Sequence, residues 1–244
     1  MKTLVVIPAR MGSSRFPGKP LKNINGFPMI GHVFNNSKSN KWDTVVATCD
    51  KAIYDFINSI NGEVIMTSKK HKRACDRAAE ALKKMEKKCK KNYDIIVMVQ
   101  GDEPMIDTKM IRTAINTLRN SNKIDVVNLY SDIKNKKDLM NKNIVKVLYT
   151  KNKEANYFLR EANVNYFKRK NEFIGKQVCV IPFRKKALIN FLKLKPTPLE
   201  EFNSIDMFRL IENDIKIKLG KCHKETYCVD VKSDIKLVEK YLKN

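Results

Sequence analysis

Leu4-Val5-Val6-Ile7-Pro8-Ala9-Arg10-Met11-Gly12-Ser13-Ser14-Arg15-Phe16-Pro17-Gly18-Lys19-Pro20-Leu21 is the stretch on which the reading of this chain turns. Its apolar opening is short and β-branched, the pattern of a buried strand. Pro8 cannot donate to a ladder and is expected to stop that strand. Three cations (Arg10, Arg15, Lys19), two hydroxyls (Ser13, Ser14) and two glycines (Gly12, Gly18) then precede the next helix. Such a loop suits a polyanion: backbone approaches closely at glycine, amides and hydroxyls donate, and the cations offset phosphate charge. It matches neither GxxxxGK[ST] nor GxGxxG, so neither a P-loop hydrolase nor a dinucleotide fold follows from it. Taken alone, the residues also fit a solvated basic loop.

Outward from this loop, strands and helices alternate. Pro28 to Ser39 reads as a helix with Met29, Ile30, Val33 and Phe34 inward, and Thr44 to Thr48 as a strand ending at Asp50. Ala52 to Ile60 is a helix stopped by Asn61-Gly62, followed by a strand over Glu63 to Thr67. Ala74 to Lys90 is a long helix with Ala78, Ala79, Leu82 and Met85 on its core face. Asp94 to Gln100 is the most apolar strand and delivers Gly101-Asp102-Glu103-Pro104 at its carboxyl end. A helix over Asp107 to Leu118 and a strand over Asp125 to Tyr130 continue the alternation. The pattern predicts an α/β fold with an open, doubly wound, mostly parallel sheet, whose ligands sit beyond the carboxyl ends of the strands. The first loop, Asp50 and Asp102 would share that rim. Beyond Ile144 the pattern loosens. Ile144 to Tyr149 and Gln177 to Ile181 are strand-like, Tyr157 to Arg169 mixes aromatics with cations, and helices are expected over Leu199 to Asn213 and Asp230 to Leu242. No linker or repeat divides the 244 residues, so one domain is expected.

Composition narrows the partners. The net charge of +23 raises the alternative of a basic nucleic-acid-binding protein. The lysines are nevertheless spread along the chain without interleaved aromatics, which fits a solvated surface, so no nucleic-acid partner is expected. No apolar run is long enough to span a membrane, and Met1-Lys2 leads directly into a strand, so no membrane partner and a cytoplasmic location are expected. Six cysteines show no CxxC spacing and only three histidines are present, so thiols in a reducing compartment are expected rather than a zinc site.

The motifs IPAR (Ile7 to Arg10), SSRFPGKPL (Ser13 to Leu21), NGFPMIGHV (Asn25 to Val33), MTSKKH (Met66 to His71) and VQGDEPMI (Val99 to Ile106) occur in that order. NKNIVKVL (Asn141 to Leu148), PLE (Pro198 to Glu200) and VDVKSDIKLVEK (Val229 to Lys240) follow more weakly. Together they resemble the 3-deoxy-manno-octulosonate cytidylyltransferase family, nucleotidyltransferases that activate acidic sugars with CTP for surface polysaccharide. The resemblance implies a Rossmann-like nucleotidyltransferase fold, Mg²⁺ as cofactor, CTP and an acidic acceptor as partners, and a homodimer. It places the acceptor pocket and subunit contacts at about residues 150–200. The aromatic-rich Tyr157 to Phe167, too apolar for a monomer's surface, supports the dimer.

Transfer of CMP needs an aligned nucleophile, charge relief on the triphosphate and stabilisation of departing pyrophosphate. Asp102, held rigidly by its apolar strand, is the first metal-ligand candidate. Asp230 is the second, following Tyr227-Cys228-Val229 read as a strand; spacing alone leaves ligand and helix N-cap equally open, and the family's VDTPED segment favours the ligand. Arg10 and Lys19 join Asp102 as catalytic candidates. The resemblance puts Pro8, Ala9, Arg10, Gly12, Ser13, Arg15, Lys19, Ala74, Arg77, Gln100 and Asp102 around the nucleotide. His71 matches a family histidine yet also suits a surface position. The family's SGTER becomes Arg73-Ala74-Cys75-Asp76-Arg77 here. The resemblance likewise implies Gln100, Arg160, Phe183, Asp206 and Met207 as the acceptor-binding candidates, with Arg169 or Lys168 in place of a second family arginine. Arg160 suits a carboxylate or phosphonate. Ile181-Pro182-Phe183 and Asp206-Met207 replace the family's Tyr-Gly-Tyr and Glu-Gln. A wall this apolar predicts that octulosonate itself is a poor substrate, with an 8-amino octulosonate, a nonulosonic acid or a phosphonate as alternatives.

Overall fold

Four parallel strands carry the first loop and the QGDEP turn to a common edge. The computed structural model describes residues 1–13, 15–163, 165 and 173–242. In chain order it begins with β1 (Thr3–Ala9), a one-turn 3₁₀ helix (Lys19–Leu21), the hairpin β2 (Asn23–Ile24) and β3 (Phe27–Pro28), and α1 (Met29–Ser37). Then come β4 (Asp43–Thr48), α2 (Lys51–Ser59), β5 (Val64–Met66), α3 (Ala74–Cys89), β6 (Ile95–Val99) and α4 (Thr108–Arg119). The later half holds β7 (Val126–Ser131), α5 (Lys136–Met140), β8 (Lys146–Tyr149), β9 (Ala155–Leu159), β10 (Ile174–Val178), β11 (Val180–Arg184) and α6 (Lys185–Phe191). It closes with α7 (Pro198–Asn203), α8 (Met207–Ile211), β12 (Ile217–Lys221) and α9 (Asp234–Leu242). The chain forms two compact units: Met1–Ile111 with Thr226–Asn244, and Arg112–Glu225. The segment around 150–200 lies in the second.

In the first unit the strands run β5-β4-β1-β6, all parallel. β1 and β6 are apolar and almost wholly buried, as continuous β-branched runs covered on both faces should be. β1 does not stop at Pro8. It continues to Ala9 beside β4, with Pro8 opposite Ala47, while its pairing with β6 ends at Val6. α2 ends as expected: Asn61 adopts φ 54° and Gly62 N–H returns to the Ile57 carbonyl. α3 buries Cys75, Ala78, Ala81, Leu82 and Met85; Ala79, expected on that face, is only half-buried. The residues 227–229 are not a strand, and α9 starts at Asp234 rather than Asp230. α9 is amphipathic and places Val238 in an apolar cluster with Phe16, Ile24, Met29, Met105 and Val229. This packing ties the C-terminal stretch and the first loop together.

In the second unit β12 runs parallel to β7, while β10 and β11 run antiparallel to β7. β8 is antiparallel to both β10 and β9. The expected helix over Leu199 to Asn213 is two short helices, because Ser204 turns left-handed (φ 52°) between α7 and α8. The two are braced by a buried ion pair: the Arg209 guanidinium donates to both Glu200 oxygens at 2.6 and 2.7 Å and stacks over Phe191. Both side chains are almost fully sealed from solvent (5% and 0% exposed), which explains the glutamate of the PLE motif structurally.

Removing one partner of such a pair leaves an uncompensated buried charge, so Arg209→Ala should cost about 3–5 kcal/mol, read as a fall in the denaturant midpoint. The double variant Arg209→Met/Glu200→Leu should recover most of that loss.

Candidate active site

The first loop closes on one carbonyl. Ser13 N–H and Gly18 N–H both donate to the Met11 carbonyl at 2.9 Å, while Met11 N–H donates to Asp50 Oδ2 at 2.8 Å. Gly18 adopts φ +72°, a left-handed conformation that glycine enters at little cost. Lys19 begins the 3₁₀ turn immediately after it. Phe16, 9% exposed, seats the middle of the loop in the apolar cluster beneath it. Its signal in the sequence was an aromatic in an otherwise polar loop, inside the SSRFPGKPL motif.

Opposite the loop stands the end of β6. A Cβ on Gly101 would lie 3.0 Å from the Pro8 carbonyl and 3.3 Å from the Ala9 Cβ, so a glycine permits the β6 turn to press against the end of β1. Asp102 follows, and its carbonyl accepts from Val229 N–H at 2.9 Å, which brings the C-terminal stretch alongside. Lys19 Nζ sits at the junction: 2.6 Å from Asp102 Oδ2, 2.9 Å from the Val229 carbonyl and 3.7 Å from Asp230 Oδ1. Arg15 adds a 2.8 Å contact to Asp230 Oδ1.

The electrostatics follow from two carboxylates sharing this cation. Burial works against the Lys19 ammonium, but the Asp102 and Asp230 carboxylates outweigh it and hold its pKa above the ordinary lysine value. Asp230 is pushed above the usual carboxylate range, first by burial and then by the charge of Asp102; Lys19 and Arg15 compensate only in part. Two hard carboxylate oxygens converging on one cation position suit a Mg²⁺ ion completed by phosphate oxygens and water, and the residues present fit that ion. Among the described residues no group of three or more His, Cys, Asp or Glu forms a metal cluster.

A cavity of roughly 280 Å³ opens beside this cluster. Of the expected nucleotide residues, Pro8, Ala9, Arg10, Ser13, Arg15, Lys19, Ala74, Arg77, Gln100 and Asp102 line it. Gly12 is not in its wall; it is exposed, with open space where a Cβ would stand. His71 is half-buried and in the wall, not on the surface, and Lys72 and Arg73 join it. Arg77 is buried and donates from Nη1 to the Thr67 hydroxyl and, at 3.5 Å, to the Ser68 carbonyl. Asp50 supports the loop from behind.

The acceptor candidates fare differently. Phe183 and Met207 are 0% and 1% exposed, packed in the second unit's core, so they face no open pocket; Ile181 and Pro182 are buried too. Strand alternation did not reveal this because β11 is covered on both faces. Arg160 is half-buried, with Nε donating to the Asn203 carbonyl at 3.0 Å and Nη1 to the Lys142 carbonyl at 3.4 Å. Its backbone carbonyl accepts from the fully buried Lys146 at 2.7 Å. Asp206 is half-buried beside α8. Lys168 and Arg169 lie outside the described residues, as do positions 164, 166 and 167 of the Tyr157 to Phe167 segment. Within that segment Phe158 is fully buried and Tyr157 is 39% exposed.

A parallel-strand edge bearing a cation-rich loop, two acidic residues and a cavity between them defines a nucleotidyltransferase of the Rossmann-like α/β class. The chain belongs to the cytidylyltransferase family, whose profile matches residues 4–217, and it is a CTP-using enzyme of that class. The 3-deoxy-manno-octulosonate cytidylyltransferase of Thermodesulfovibrio yellowstonii is 38% identical, with 99% of this chain and 98% of that protein covered. The 8-amino-3,8-dideoxy-manno-octulosonate cytidylyltransferase of Shewanella pealeana is 33% identical, with 98% of each covered. Among solved structures, a CMP:2-keto-3-deoxy-manno-octonic acid synthetase complexed with CTP superposes with a TM-score of 0.87 at 30% identity, covering 100% of this chain and 99% of that one.

The geometry also separates the two sequence readings of Asp230. Asp234 Oδ2 accepts from the N–H groups of Asp230 and Val231 at 2.8 and 2.9 Å, so Asp234 is the side chain that satisfies this turn. Asp234→Ala should therefore lose about 1 kcal/mol of stability, the typical value of a lost cap, while Asp230→Asn should lose none. Parallel urea titrations of the two variants check this.

Proposed function

We propose that this enzyme transfers CMP from CTP to the anomeric hydroxyl of 3-deoxy-manno-octulosonate, releasing pyrophosphate, in the cytoplasmic supply of surface polysaccharide. The observation that carries the reading is Lys19 held between Asp102 and Asp230 in the wall of the cation-lined cavity. The names of the relatives at 38% and 30% identity support this acceptor.

In this reading Arg10 and Arg15 offset the triphosphate, and Lys19 neutralises charge at the reacting α-phosphate and the departing pyrophosphate. The cavity wall at Ala74 and Arg77 faces the cytosine end, and Gln100 donates to the ribose or the incoming acid. The acceptor hydroxyl oxygen attacks the α-phosphorus, the bond to the bridging oxygen breaks, and the hydroxyl proton leaves to solvent. Asp102 and Asp230 would hold Mg²⁺, which supplies charge relief on the phosphates when bound. Arg160 and Asp206 remain proposed acceptor contacts. With Phe183 and Met207 in the core, the apolar wall that argued against octulosonate falls away. The 8-amino sugar stands as a second reading, favoured by the Shewanella pealeana relative.

Pyrophosphate release with CTP should be faster with octulosonate than with its 8-amino analogue, sialic-type acids or aminoalkylphosphonates, and should stop on chelation of Mg²⁺. Faster turnover of the 8-amino sugar would favour the second reading. Asp102→Asn should abolish turnover while leaving the denaturation curve in place. Loss of all CTP binding by calorimetry in the wild type, with steeply salt-dependent binding to nucleic acid, would overturn the enzymatic reading.

We also propose a homodimer, supported by large apolar side chains that the second unit leaves exposed: Phe202 at 88%, Phe173 at 41% and Tyr157 at 39%. Light scattering at micromolar concentration should give twice the 28.3 kDa chain mass; the mass of one chain would contradict it.

A further inference from the structure

One helix grips the cavity's wall from behind. Residues 67–73, without regular structure between β5 and α3, bring His71, Lys72 and Arg73 into the cavity wall. α3 holds this segment at both polar groups of a single residue. Arg77 donates to the Ser68 carbonyl at 3.5 Å, and Glu80 Oε2 accepts from Ser68 N–H at 2.9 Å. The same Glu80 oxygen pairs with His71 Nε2. Lys84 holds the other Glu80 oxygen at 2.7 Å and also donates to the Met66 carbonyl at 2.7 Å. Positions 77, 80 and 84 fall on one face of the helix at successive turns, so a single rigid element presents all three grips.

Glu80 is not itself in the cavity wall. Burial works against its charge, yet the hydrogen bonds from Lys84, Ser68 and His71 outweigh that and pull its carboxyl down to about 2, so it is ionised throughout the working pH range. Because Nε2 of His71 is engaged by Glu80, a ligand in the cavity meets the ring's other edge and its face. A loop already ordered in this way costs less to fix when a nucleotide binds than one that must be ordered by the nucleotide itself.

We propose that Glu80 is a positioning residue for the nucleotide: it holds residues 68–71, and the His71 ring with them, as a preformed wall of the cavity. This rests on the reading of that cavity as the CTP site. Glu80 acts through the loop and touches no reacting atom, so its loss falls on nucleotide affinity. Gln at this position keeps an acceptor for Ser68 N–H but not the charge toward His71 and Lys84.

The test is steady-state kinetics with CTP and octulosonate, and calorimetric CTP binding, for Glu80→Ala, Glu80→Gln, His71→Ala and the Glu80→Ala/His71→Ala double variant. The expected result is a KM and Kd for CTP raised about tenfold in Glu80→Ala and less in Glu80→Gln. The acceptor KM should be unchanged, and kcat should fall far less than KM rises. The double variant should be little worse than the worse single one, because both remove the same contact. An unchanged KM for CTP in Glu80→Ala, a parallel rise in both KM values, or full additivity in the double variant would each overturn the proposal. Failure of the wild type to bind CTP would instead overturn the underlying nucleotide reading, and the proposal with it.

Discussion

A half-buried ammonium needs acceptors, and the first unit is arranged to give Lys19 three of them. Asp102 comes from the end of β6, while the Val229 carbonyl and Asp230 come from the stretch that returns before α9. Residues far apart in the chain therefore converge on one nitrogen. The Val229–Asp102 backbone hydrogen bond and the packing of Phe16, Val229 and Val238 hold the same three segments independently of charge. Lys19 and Arg15 together offset the two carboxylates, and the apolar contacts fix the segments that carry them. Burial, and after it the Asp102 charge, raise Asp230 above its ordinary value, and Lys19 and Arg15 offset this only in part.

Two irregular segments complete the walls that β1 and α3 begin. The first loop hangs from the Met11 carbonyl and from Asp50, and the 67–73 segment hangs from Arg77 and Glu80. In both cases an irregular segment is fixed by hydrogen bonds from a neighbouring element. Cationic side chains can then face a cavity without the loop collapsing onto the sheet. The net charge of +23 is spread over the whole chain, and the cavity concentrates a small share of it at Arg10, Arg15, Lys19, Lys72, Arg73 and Arg77.

The charges sealed inside the second unit each meet partners there. Arg209 and Glu200 brace α7 against α8, and Lys146 donates to the Asn141 and Arg160 carbonyls at 2.6 and 2.7 Å. Such groups are costly to bury singly and stable only when every donor finds an acceptor. They also connect the core to Arg160, the residue proposed to meet the acceptor. A charged residue such as Glu200 in PLE is here part of the packing.

Sequence by itself determined the parallel core of the first unit, though not the C-terminal stretch that returns to it. Apolar runs at β1, β4, β5 and β6, separated by amphipathic helices, admit few arrangements other than parallel strands, and chirality then fixes the side on which each helix lies. The loop chemistry at Arg10 to Lys19 and the carboxylate of Asp102 were legible for the same reason: they follow directly from strand ends. Tertiary structure alone decided which of two aspartates caps a turn and which faces Lys19. The choice depends on Asp234 reaching back to the Asp230 and Val231 amides. It also decided that Phe16 anchors the loop, that His71 belongs to the cavity, and that Phe183 and Met207 belong to the core. The physical reason is common to all of these. Residue type and periodicity report how polar a position is and which way it alternates, but a contact between residues 15 and 230, or 71 and 80, exists only once the chain has closed around it.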